Sequence, residues 1–489
     1  MAMPMIGSPT SGTRTKPQRH PLAHLPGEDG WPIVGNTLAV LKDPVRHVQA
    51  MYRKHGLVYR DYAFGVRSVA MLGPEANELV LLDRDRNFSS SDGWGYVLDR
   101  VFPRALMLMD FDEHRLHRKA LGVAFKPAPM KAYFGALNEG ISRRIAEWHL
   151  TDPGRSGTSH LRFYPAIKQL TLDLAATSFL GIELGPQANA INRAFVEMMA
   201  ATIGVVRTPV PGTQMWKGVK GRETVVAFFR QEIPRRRVGQ ATDLFSELCR
   251  ATKEDGSLLA DQEIADHMSF LMMAAHDTLT SSVTSLVYFL GKHPEWQNKL
   301  RGEVHGLGLP AGAHERFGDL VLLEMAFKEA MRINPPVPSR LRAAVRDFQF
   351  QGHDISAGTH VFINTIFTHR MPDIWPEPLT FDPLRFADEA VRDRHKYAWV
   401  PFGGGAHMCL GLHFAYMQAK CFFYHLLTTT SVGLPPAYVP RWQMWPIPKP
   451  RDGLPIWIER SRRDGRPCRE HATSVPPTVA EVASGQRLA

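Results

Sequence analysis

Cysteine is scarce in this chain of 489 residues, with only Cys249, Cys409, Cys421 and Cys468. So few thiols, with no charged-then-apolar leader ahead of them, exclude a secreted disulfide framework and point to a cytoplasmic setting. Long apolar runs are missing as well. The first 25 residues contain Pro, Ser and Gly with Arg14, Lys16 and Arg19, and hold neither a signal-peptide core nor the roughly 20 apolar residues of a membrane span. No transmembrane anchor is expected. There is also no compact Lys/Arg run interleaved with aromatics. Despite a net charge of +10, a nucleic-acid partner is therefore not expected; the charge suits an acidic redox protein, or equally a basic surface with no dedicated partner. Neither an internal repeat nor a Gly/Ser- or Pro-rich linker interrupts the middle of the chain. We therefore expect a single domain over residues 25–460, flanked by polar tails at 1–24 and 461–489.

With 44% hydrophobic and 22% charged residues, the chain can bury a large core. Helical spacing dominates. The clearest run starts near Asp261 and passes through Ile264, Met268, Leu271, Ala275, Leu279, Leu286 and Leu290 to Gly291 and Pro294. It predicts one helix of about 30 residues, roughly 45 Å long, buried on several sides and central to the fold. Strand patterns occur at Val58–Phe64, Ser68–Leu72, His360–Asn364 and Pro455–Ile458, too scattered for a parallel sheet with regular crossovers. The fold class is mainly α with small β-sheets.

One cysteine sits in a distinctive setting. The segment from Phe402 through Gly403, Gly404, Gly405, Ala406, His407 and Met408 to Cys409, Leu410 and Gly411 leads into a helical pattern from Leu412 to Lys420. At a helix start, free N–H groups and the dipole lower a thiol pKa and favour thiolate, the form that binds a metal. Glycines let a flat ligand approach the backbone, and Phe402 would shield the sulfur. Zinc held by His407, Cys409 and His413 is the other metal reading, but it lacks a paired Cys-x-x-Cys and leaves Gly405 and Gly411 unexplained.

Phe402, Gly405, Cys409 and Gly411 match the F-x-x-G-x-x-x-C-x-G pattern, in which the chain resembles the cytochrome P450 family. The resemblance implies that fold, with the long central helix over a haem, Cys409 as the axial iron ligand, and Phe402, Gly405 and Gly411 against the cofactor. Glu329 and Arg332, spaced i, i+3 before Asn334-Pro335-Pro336, resemble the family's E-x-x-R pair, and Arg385 in Phe381–Phe386 resembles its later arginine. Together they imply a structural brace for the cysteine loop. Ala274-Ala275-His276-Asp277-Thr278 resembles the oxygen-binding motif, with Ala275 in place of the more usual Gly. Ala274 then lies beside the cofactor, and Asp277 and Thr278 become the acid and alcohol of a proton relay; on its own, Thr278 would bond back to the Ala274 carbonyl. Haem propionates imply His114, Arg118, Arg342 and His407 as partners, with Arg340 an alternative to Arg342.

Similarity extends from the Pro/Gly-rich Leu25–Pro32 segment to about Arg460. It is greatest to soluble bacterial members, particularly a mycobacterial group loosely related to sterol demethylases, although Asp277 after His276 departs from the demethylases' His pair. The resemblance implies a haem b monooxygenase that hydroxylates a lipophilic substrate of the lipid, terpenoid, steroid or polyketide class. Electrons would come from NAD(P)H through ferredoxin reductase and a ferredoxin docked on the basic surface near Cys409, since only about 80 residues follow that cysteine. Substrate contacts are expected from Trp94, Tyr96, Phe102, Met107, Met273, Ala274, Val337, Leu341 and Met444. Two rival readings are a haem-thiolate peroxygenase or isomerase and a non-catalytic haem or zinc protein; Asp277 and Thr278 argue against the first.

Overall fold

Apolar residues at helical spacing shape most of the chain, and one helix organises the rest. The computed structural model describes residues 21–150, 158–204, 206–308 and 314–460. The expected tails lie outside these, except for residues 21–24. There the chain is already packed: Leu22 and Leu25 are buried in one cluster, and His24 Nε2 lies 2.8 Å from the Asp354 carbonyl oxygen.

The central helix runs Asp261–Lys292. Ala260 offers no side-chain cap, and Glu263 Oε2 instead accepts from the Ala260 N–H at 2.7 Å, satisfying one orphan donor and placing negative charge at the positive end of the dipole. His293-Pro294 ends it, because proline has no N–H to continue the ladder. The helix packs against Phe163–Leu174, Gln214–Val238, Val321–Ile333 and Leu412–Thr429, so its sides are closed almost everywhere. Its interior polar residues survive burial by bonding back one turn, as Ser269 does to Ala265 at 2.7 Å and Thr284 to Thr280 at 2.6 Å. Midway along, Met273, Ala274, Ala275 and Thr278 stay partly open.

The main sheet has six strands in the order Gly27–Glu28, Val58–Ala63, Val66–Met71, His360–Ile363, Arg340–Ala344 and Phe88–Ser89. Val66–Met71 pairs in parallel with His360–Ile363, while Arg340–Ala344 runs antiparallel to it with Arg342 opposite Val361. All four expected strands are present, within two residues at each end. Arg340–Ala344 was not anticipated: alternating arginines read as a solvent face, yet Arg340 and Arg342 are buried. A second sheet joins Thr430–Gly433, Pro455–Arg460 and Thr158–Arg162.

Candidate haem site

The cysteine loop is closed by its own backbone, with the Cys409 N–H donating to the Phe402 carbonyl at 2.9 Å and the Met408 N–H to Gly405 at 3.2 Å. Gly405 has φ +58°, and a Cβ there would fall 1.9 Å from the Leu81 carbonyl oxygen. Only glycine fits this cradle. The Phe402 ring packs 5.5 Å from Tyr416 and 6.4 Å from Trp399. The following helix starts at Leu412 with Gly411 as its cap, three residues beyond the sulfur. This placement corrects the expected lowering of the thiol pKa: burial pushes Cys409 up, and the Gly411 N–H, Arg118 and Arg340 oppose that without overcoming it. The other described cysteines are buried and free, with Cys249 pushed up by burial to about 12.

Glu329 and Arg332 form a bidentate pair at 2.7 and 2.8 Å with no exposure on either side. The remaining donors are also used: Arg332 reaches the carbonyls of His369 and Pro378, both at 2.8 Å, and Glu329 accepts from the Asp382 N–H at 3.1 Å. Arg385 Nε stands 3.5 Å from Glu329, so the three residues meet. His369 joins this brace to the cysteine loop, because its Nε2 accepts the Val400 N–H at 2.8 Å. Burial holds its ring well below the usual histidine range, so it stays a neutral acceptor. Arg340 fastens the loop from the sheet, donating to Thr365 Oγ1 and, at 2.8 Å, to the Pro401 carbonyl.

A cleft of about 580 Å³ is walled by His114, Arg118, Arg342, Gly405 and His407. Of the five cationic side chains that line it, Arg86, Arg115 and Lys119 are paired with Asp112 and Glu254, which leaves Arg118 and Arg342 with one carboxylate in the wall, Asp83, itself accepting from the Asn87 N–H. The His114 and His407 rings lie 3.9 Å apart. Burial, with Arg118 and Arg342 nearby, lowers His114 to about 4; burial, Arg342, His114 and Arg118 lower His407 to about 2. Among the described residues Arg342, which is buried, has a hydrogen bond only to its neighbour's carbonyl, Leu341, at 2.8 Å. Buried cations with so little compensation call for an anion, and the two carboxylates of a haem supply one. Arg340 is committed to the loop, which leaves Arg342 as the cleft's arginine. Among the described residues no three His, Cys, Asp or Glu side chains converge as a metal site, so the His407, Cys409 and His413 zinc reading has no geometry behind it.

At the open stretch of the central helix, Thr278 Oγ1 bonds back to the Ala274 carbonyl at 2.7 Å. Asp277 turns the other way, with Lys168 Nζ at 3.3 Å and His276 Nδ1 at 3.1 Å. Burial alone would raise its pKa, but His276 and Lys168 outweigh it and hold the carboxyl at about 2. The side chain expected to be an acid is therefore ionised at neutral pH, and the residue that pairs with it from another helix is Lys168. No sequence motif marks that lysine, which lies 109 residues upstream on Phe163–Leu174.

Phe102 is buried with its ring 6.4 Å from Phe270 of the central helix, edge-on. Trp94, Met107, Met273 and Ala274 are half-buried against the same core, and Val337 and Leu341 are half-buried at the strand entry. Two expected substrate residues are placed elsewhere. Tyr96 is 47% exposed, with its hydroxyl donating to Phe64, because the helix Ser90–Leu98 turns that face outward. Met444 lines a different cleft, of about 720 Å³, with Tyr52, Arg370 and Trp442.

This site defines a haem-thiolate protein, and residues 25–444 match the family model described as Cytochrome P450. The chain belongs to the cytochrome P450 family and is a haem monooxygenase. It is 35% identical over 458 residues, 92% of this chain and 90% of the relative, to a protein of Mycobacterium tuberculosis called cytochrome P450 136. It is 28% identical to a taxane 13-alpha-hydroxylase of Taxus cuspidata, over 90% of this chain and 93% of that one. The solved structure of retinoic acid bound cyanobacterial CYP120A1 superposes with a TM-score of 0.79 at 27% identity, covering 89% of this chain and 99% of that one. Such enzymes use redox partner proteins and a small-molecule substrate. Among the described residues no helix is long and apolar enough to cross a membrane.

Proposed function

We propose that this enzyme hydroxylates a lipophilic substrate of the lipid, terpenoid, steroid or polyketide class in the cytoplasm, with haem b as cofactor and electrons delivered from NAD(P)H through a ferredoxin and its reductase. The opening of the central helix at Met273, Ala274, Ala275 and Thr278 carries this reading, because it belongs to the same apolar core as Trp94, Phe102 and Met107. A retinoic acid complex and a taxane hydroxylase among the relatives support that chemical class.

Haem bound by the Cys409 thiolate supplies reductive activation of dioxygen, so that one oxygen atom enters a substrate C–H bond and the other leaves as water after two electrons and two protons are taken up. His114, Arg118, Arg342 and His407 hold the propionates. Glu329, Arg332 and Arg385 fix the loop, and Phe402, Gly405 and Gly411 shape it. The Lys168 and Asp277 pair gives protons a route from solvent to the central helix, on which the Thr278 hydroxyl is the next polar group. A peroxygenase has no need of that line.

A carbon-monoxide difference spectrum of the reduced protein tests the assignment. Wild type gives the thiolate-type Soret band and Cys409→Ala loses it; zinc without haem on metal analysis would overturn it. Turnover with NAD(P)H, ferredoxin and its reductase, weakened by raised salt, tests the electron source.

A further inference from the structure

We infer that the cleft of about 720 Å³ beside the helix Pro44–His55 binds an organic phosphate that carries a flat ring and is about the size of a nucleotide. This cleft shares no wall residue with the haem cleft. Its volume is that of a small-molecule site. A basic helix face forms one part of the wall and an aromatic hairpin another.

Charge selects an anion. Lys42, Arg46, Arg53, Arg370 and Arg451 line the cleft, and none has a carboxylate partner among the described residues. Arg46, Gln49 and Arg53, spaced i, i+3 and i+7, share the helix face that meets it. Elsewhere on this helix the basic residues are paired, His47 with Asp61 and Lys54 with Glu28, both at 2.8 Å. The two carboxylates in the cleft wall are Asp43 and Asp373, and Asp43 is used in capping the Arg46 N–H at 3.0 Å. Arg370, half-buried, donates from Nε and Nη2 to the Ile333 carbonyl at 3.0 and 2.6 Å, while its Nη1 has no partner among the described residues. Desolvation, with Arg332 nearby, lowers Arg370 to about 10, and Asp43 opposes this only in part. A monocarboxylate leaves most of this charge unmatched, whereas a phosphate brings about two charges and three acceptor oxygens to the guanidinium donors.

Aromatic side chains select the ring. Tyr52, Trp442 and Trp445 line the same cleft, and each is held by a neighbour: Tyr52 edge-on to Phe367 at 4.9 Å, Trp442 edge-on to Tyr288 at 6.0 Å, and Trp445 stacked on Phe64 at 5.0 Å. The pairing of Trp442–Gln443 with Lys449–Pro450 and a 2.9 Å bond from Gln443 to the Trp445 carbonyl fix the hairpin that carries the tryptophans. Rings held in place before a ligand arrives lose little entropy on stacking, and cations beside them strengthen the contact. The wall also leads inward. On the same hairpin the Pro448 carbonyl accepts from Ser281 Oγ at 2.7 Å, three residues beyond Thr278 on the central helix, and Arg370 follows His369, whose ring accepts the Val400 N–H. An occupant therefore bears on elements that reach the central helix and the cysteine loop.

Isothermal titration calorimetry on the haem-loaded full chain tests the proposal, with adenosine diphosphate as the probe and pyrophosphate as its ringless counterpart. Adenosine diphosphate binds one to one and about tenfold more tightly than pyrophosphate, the difference being the stacked ring. The double variant Arg46→Gln with Arg53→Gln weakens it by about tenfold or more, and Trp445→Leu brings it down to the affinity of pyrophosphate. The carbon-monoxide spectrum of the reduced protein is unchanged in both variants, which certifies their folding. No binding of adenosine diphosphate, binding no tighter than that of pyrophosphate, or binding indifferent to either variant overturns the proposal. So does displacement of the nucleotide by vesicles of phosphatidylcholine mixed with phosphatidylglycerol, since that gives the cleft to a lipid headgroup.

Discussion

Two carboxylate–cation pairs flank the haem site, and they are built for opposite ends. Glu329 and Arg332 meet bidentately at 2.7 and 2.8 Å with neither exposed, and neighbouring backbone groups take up their remaining hydrogen-bonding capacity. Asp277 meets Lys168 through a single 3.3 Å contact, and the lysine side chain keeps 30% of its exposure. The first pair is sealed and fully used, so it can only hold geometry. The second is looser and touches solvent at one end, which a proton carrier requires.

Substitution should separate the two. Glu329→Gln leaves the Arg332 guanidinium buried beside a neutral partner and should cost about 3–5 kcal/mol, read as a lower midpoint in denaturant unfolding with haem loss following the unfolding. Asp277→Asn should lower that midpoint by less than Glu329→Gln does, since it removes the stabilising carboxylate pairing, yet slow product formation by roughly 10²-fold, with a larger solvent isotope effect. The Asp277 carboxyl titrates at about 2 in the folded chain, below its ordinary 3.8. Its stabilising pairing is thus complete above about pH 4 and lost as pH falls through 2; acid unfolding of Asp277→Asn should lack that component. Lys168→Gln should show the smallest effect, roughly tenfold in turnover and under about 1 kcal/mol in stability. If Glu329→Gln slowed turnover while leaving stability intact, or Asp277→Asn unfolded the protein, the contrast would fail.

The same contrast explains what the sequence could reveal. Glu329 and Arg332 sit one turn apart, and Phe402 to Gly411 form a contiguous stretch, so spacing alone exposes both. Asp277 was visible as a polar interruption in an apolar helix, but its ionised state was not, because the lysine that sets it comes from another helix. The Leu81 carbonyl that requires Gly405 is equally hidden, being a backbone atom far upstream. Gly93 was missed for a similar reason: a Cβ there would lie 2.4 Å from Arg342 Cα, and nothing local announces that approach. Strand Arg340–Ala344 eluded pattern reading because its arginines break the apolar alternation they are buried within. Tyr96 and Met444 show the converse, apolar side chains that look like pocket lining and face elsewhere.

His369 gives its carbonyl to Arg332 and its ring nitrogen to the Val400 amide. Acting as a shared vertex, it prevents the brace and the cysteine loop from drifting apart independently. A stretch that looks like a glycine-rich surface turn therefore opens on the timescale of the buried core, and the sulfur keeps its aim for as long as that core stays folded.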